Sequence, residues 1–95
     1  MELKPEEHLL IGQWIERKGG IVGDEACERI RVLTEKYLQK IGTDKSGWIT
    51  IYKDPRDGRY WKLDYPHSAW QGGGPPSLEC ISEEDFKKYF LHLKG

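Results

Sequence analysis

Trp48-Ile49-Thr50-Ile51-Tyr52-Lys53 and Tyr60-Trp61-Lys62-Leu63-Asp64-Tyr65 are two runs rich in aromatic and β-branched residues, separated by Asp54-Pro55-Arg56-Asp57-Gly58-Arg59. Such residues suit a pleated, half-buried surface and the Pro-x-Asp-Gly segment suits a tight reversal, so the stretch reads as an antiparallel hairpin. In the second run Trp61, Leu63 and Tyr65 alternate with Tyr60, Lys62 and Asp64, which assigns the first set to a core and the second to solvent. Register then decides the face of the first run. A three-residue loop of Arg56, Asp57 and Gly58 sets Ile49 and Ile51 opposite Tyr65 and Leu63, whereas a four-residue loop from Pro55 sets Trp48 and Thr50 there. The first register buries both isoleucines and is the one expected.

Before this hairpin, Asp24 suits a helix cap, and Ala26, Ile30, Leu33, Tyr37 and Ile41 recur at helical spacing up to Gly42. Glu28, Arg31, Glu35 and Lys36 form that helix's wet face. Further upstream, Pro5, Glu6 and Glu7 suit the start of a short helix through Leu10, and residues 12–23 read as a hairpin turning at Lys18-Gly19-Gly20. After it, the glycines and prolines between His67 and Pro76 exclude regular structure. Ser77-Leu78-Glu79-Cys80-Ile81 is a predicted strand, and Ser82 caps a final helix whose Phe86, Tyr89, Phe90 and Leu93 read as ordinary core. The fold expected is α+β in one domain over residues 1–95. A small antiparallel sheet, centred on 48–65 and joined by 77–81, packs against the helix at 25–41 and the final helix.

Composition narrows the function. Ninety-five residues support one hydrophobic core, and the 12% aromatic content is that of a folding chain. Fifteen bases against sixteen acids leave a net charge of -1, with no basic field to attract nucleic acid or an anionic membrane. No apolar run approaches the ~20 residues of a membrane helix, and the start of the chain lacks the pattern of a signal peptide. A cytoplasmic address is expected, with Cys27 and Cys80 as free, buried thiols.

Candidates for chemistry are sparse. His8, His67, His92, Cys27 and Cys80 do not pair at metal-ligand spacing, so no metal or cofactor is expected. Cys27 in a first helical turn invites a lowered thiol pKa, against which stands the plainer reading of a small thiol facing the sheet. Arg59, Asp64 and His67, with Asp57 nearby, have the residue types of a small ribonuclease or RNA-binding module, which is the alternative reading; turn and pairing roles explain them more simply. Gly72-Gly73-Gly74 runs into Pro75-Pro76 rather than a helix, so it is no phosphate loop. More suggestive are Tyr60 and Trp70, aromatics expected at the surface among charges, as on a protein-binding face.

Several of these residues together resemble the immunity protein 27 family of bacterial polymorphic toxin systems. They are Gly12-x-Trp14, Asp24 ahead of a helix with Arg29-Ile30 and Leu33, Gly47-Trp48, and Tyr52-x-Asp54-Pro55-x-Asp57-Gly58-Arg59-x-Trp61-x-Leu63-x-Tyr65-Pro66. Gly72-Gly73-Gly74-Pro75-Pro76-x-Leu78 completes the set, which spans about residues 10 to 90. Family members tend to carry an acidic residue at the position of Lys62 and another near Ala69, which bears on which toxin is recognised. The resemblance implies a cytoplasmic antidote, not an enzyme, that binds the carboxy-terminal toxin domain encoded beside it and blocks it stoichiometrically. The expected contact set is the outward group Arg59, Tyr60, Lys62 and Asp64 with Trp70, because aromatic anchors ringed by charge suit an interface.

Overall fold

The computed structural model of the chain describes residues 3–65 and 74–91. β1 (Leu9–Ile11) leads into a hairpin of β2 (Trp14–Arg17) and β3 (Gly20–Gly23), followed by α1 (Glu25–Val32). A π-helical turn, Leu33–Tyr37, extends α1 before β4 (Gln39–Thr43), β5 (Thr50–Lys53), β6 (Tyr60–Asp64), β7 (Ser77–Ile81) and α2 (Glu83–Phe90). Five strands form an antiparallel sheet in the order β1-β7-β6-β5-β4, while β2 and β3 pair with each other. This is the α+β architecture expected.

The main core lies between the sheet and α1. Ile30 and Leu33 pack with Leu38, Tyr52, Trp61, Leu78 and, from the amino-terminal segment, Leu3. Trp61 and Leu78 are fully buried at its centre. Both helix starts are capped as their sequences require: the Asp24 carboxylate accepts from the Cys27 amide at 3.0 Å, and the Ser82 hydroxyl from the Asp85 amide at 3.1 Å. α2 covers the opposite face of the sheet. Its Phe86 ring stacks on Tyr60 with centroids 3.7 Å apart, and the Lys62 ammonium lies 5.8 Å from the Tyr89 ring centre. The face of Tyr60, Lys62 and Asp64, expected to be wet, is therefore partly roofed, because α2's aromatic stripe needs a surface of its own to bury.

Several local expectations are corrected. The β5–β6 register is the four-residue alternative, with Thr50 opposite Leu63, Ile51 opposite Lys62 and Tyr52 opposite Trp61. Asp54 sets it: its amide donates to the Arg59 carbonyl, its carbonyl accepts from Gly58, and its carboxylate accepts from the Arg56 amide. Ile51 is nonetheless fully buried, on the α2 side of the sheet. Burial of isoleucine discriminates registers only when one face is wet, and here both are covered.

The α1 helix stops short of Ile41. The Leu38 amide closes the π-helical turn on the Leu33 carbonyl at 2.7 Å, then turns to extended backbone and buries its side chain. From there the chain pairs with β5, and Ile41 is the extra residue of a bulge between Lys40 and Gly42. Nor does a helix form through Leu10. Residues Pro5 and Glu6 make a turn, and β1 takes the free edge of β7, with Leu10 opposite Leu78. Phe90, expected in the core, is 57% exposed. Leu93, the other end of that stripe, lies outside the described residues, as do His67, Trp70 and His92.

Candidate protein-binding surface

β6 and its flanks carry most of the contact set expected from sequence, and the structure occupies much of it internally. Alternation directs Arg59 to the side of Trp61 rather than that of Tyr60: its guanidinium lies 5.0 Å from the Trp61 ring centre. From there it donates to the carbonyls of Lys4 (3.0 Å), Pro5 (3.4 Å) and Glu7 (2.7 Å), and pairs with the Asp57 carboxylate at 2.6 Å. A second arginine holds the same segment, since Arg29 grips the Glu7 carboxylate with two bonds of 2.5 Å. That grip, more than anything else, drops the Glu7 pKa to about 2. Tyr60 is stacked on Phe86, and Lys62 pairs with Glu79 at 3.4 Å. Asp64 accepts from the Tyr65 amide at 2.7 Å.

The sheet itself separates two members of the ribonuclease-like group, with Arg59 on the α1 side and Asp64 on the α2 side. The thiols are free and only partly buried. Burial pushes both of them up in pKa, Cys27 despite its place in a first helical turn, which is opposite to the shift that activates a thiol. Among the described residues, no three His, Cys, Asp or Glu side chains converge as metal ligands.

The surface that sequence reasoning undervalued is the β2–β3 hairpin. Lys18 and Gly19, both at positive φ, make the two-residue turn that matches strand twist. The hairpin's base is docked on the start of α1 by two glycines. A Cβ on Gly12 would fall 2.5 Å from the Cys27 sulfur and 2.8 Å from the Pro76 carbonyl oxygen, and one on Gly23 would fall 2.7 Å from Cys27 Cβ. The Asp24 amide adds a bond to the Gln13 carbonyl at 2.9 Å. Cys27 is thus the post against which the hairpin stands. Among the described residues the arm leaves Trp14, Ile21 and Val22 exposed, Ile21 to 73%. A signal was present in the sequence, because Trp14-Ile15 and Ile21-Val22 are adjacent apolar pairs, and adjacent strand residues point to opposite faces. At least one of each pair must face away from any single core. Between the hairpin and α1 lies a cleft lined by Ile15, Arg17, Gly23, Asp24, Glu25 and Glu28.

These features define a small α+β protein with exposed apolar side chains on a hairpin arm, on a scaffold of sheet and helices. Residues 16–82 match the family model described as Immunity protein 27, and the chain belongs to that family. The matched span runs from within β2, at Glu16, to the cap of α2 and so contains β3, α1 and β4 to β7. No curated protein and no solved structure matches the chain. Among the described residues, no helix is long and apolar enough to cross a membrane.

Proposed function

We propose that this protein neutralises a bacterial toxin by binding the cognate toxin domain one to one in the cytoplasm and blocking its activity, without catalysis of its own. Membership of the Immunity protein 27 family carries this reading. The hairpin's exposed Trp14, Ile21 and Val22 support it, since exposed large apolar side chains grouped on one element suit an interaction site. A standard interface of roughly 800 Å² per partner takes about 20 to 30 residues, a large share of so small a surface. Within the contact set read from sequence, Arg59, Tyr60 and Lys62 serve as scaffold, while Asp64 and Trp70 remain candidates for direct contact.

The test is co-expression with the toxin domain encoded beside the gene. A one-to-one complex on size exclusion and survival of cells making both proteins are expected. A toxin that neither binds the purified protein nor is neutralised by it overturns the reading, as does RNA cleavage by the purified protein that is lost in His67→Ala.

A further inference from the structure

We propose that the β2–β3 hairpin and the cleft at its base form the surface that meets the toxin domain, and that the toxin presents there an apolar patch flanked by lysine or arginine side chains. This rests on the binding function above and adds to it the place and the chemistry of contact. Among the described residues the hairpin pairs only within itself and docks at its base, leaving Ile21 exposed on the face it shares with Trp14, and Val22 exposed on the other face beside Ile15. The glycine and Cys27 packing at that base holds the arm in one orientation before any partner arrives. A pre-set arm loses little conformational freedom on binding, which favours affinity.

Charge selects the occupant. The cleft beside the arm has three carboxylates, from Asp24, Glu25 and Glu28, against the guanidinium of Arg17, with Glu28 already paired to Arg31. Asp24 and Glu28 are held ionised: hydrogen bonding from the Cys27 amide lowers the Asp24 pKa, and the Arg31 guanidinium lowers that of Glu28. Ile15 and Gly23 offer an apolar floor for the aliphatic stem of a basic side chain, and the carboxylates receive its charged end. A cation-flanked apolar patch complements this surface, whereas an acidic partner is repelled by it.

The experiment measures affinity for the toxin domain, thermal melting and solution mass of wild type, Ile21→Ser, Ile21→Glu, Glu25→Lys and, as a distant control, Lys45→Glu. Both exposed side chains are expected to be replaceable without loss of melting temperature. Each Ile21 variant and Glu25→Lys should weaken binding more than tenfold, with Lys45→Glu as wild type. Added salt should weaken the wild-type complex more than that of Glu25→Lys. If wild type binds tightly and the Ile21 and Glu25 variants bind equally well, the proposed surface is wrong and the function stands. If wild type does not bind, the function itself fails. A wild-type dimer that Ile21→Glu converts to a monomer makes the hairpin a contact between copies of this chain and also overturns the proposal.

Discussion

Lys62 shows how far one side chain's role depends on what sits above it. Read on a strand, it belongs to a wet face, and its reversal to a carboxylate should be harmless. In the fold it is half-buried, paired with Glu79 and set beside the Tyr89 ring, so Lys62→Glu places two carboxylates together under α2. Loss of about 1 to 3 kcal/mol is expected by urea denaturation, with part of it recovered when Glu79→Lys is added. Glu7 makes a second prediction at this scale. Its folded pKa of about 2 lies below its ordinary value of 4.5, so the stability it contributes is fully present above pH 4.5 and is lost as pH falls through 2. Stability should therefore fall less steeply between pH 4.5 and 2 in Glu7→Gln than in wild type, as followed by urea midpoints across that range. The alternation of β6 was legible from sequence down to which residues share a face. The roof over one of those faces was not, because nothing local to Lys62 tells where a helix twenty-odd residues later will lie.

At the scale of elements, starts were easier to read than ends. Asp24 and Ser82 announce their helices because a capping oxygen acts within three residues of itself. Replacing either by alanine should cost about 1 kcal/mol, and chemical denaturation of Asp24→Ala and Ser82→Ala measures it. The end of α1 escaped the same reading. Ile41 continues the helical spacing, yet Leu38 leaves the helix to fill the core and Gln39–Thr43 pairs with β5, a contact that local periodicity does not encode. Likewise the β5–β6 register was set by hydrogen bonds of Asp54 within its loop rather than by isoleucine burial. β1 was missed for a related reason: three residues with a long-range partner carry little local signal, and Pro5 with two glutamates resembles a helix start.

For the molecule as a whole, the fold class and the family were legible in sequence, while the exposed arm required knowing that no other element of the described chain covers it. The same long-range dependence governs the amino-terminal segment, which Arg59 ties down through three carbonyls and which feeds Leu3 and Leu10 into the core. Arg59→Ala should loosen residues 3 to 11, seen as faster amide exchange at Leu10 and Cys80 with α2 unaffected and the melting temperature lowered. The strand order has a further consequence. Leu9 pairs with Glu79, so the first strand of the sheet waits for its neighbour until 70 further residues have been made. On the ribosome, β4, β5 and β6 can assemble as a meander while β1 remains unpartnered. Completion of the sheet then waits for β7, and the appearance of the finished fold includes that closing step.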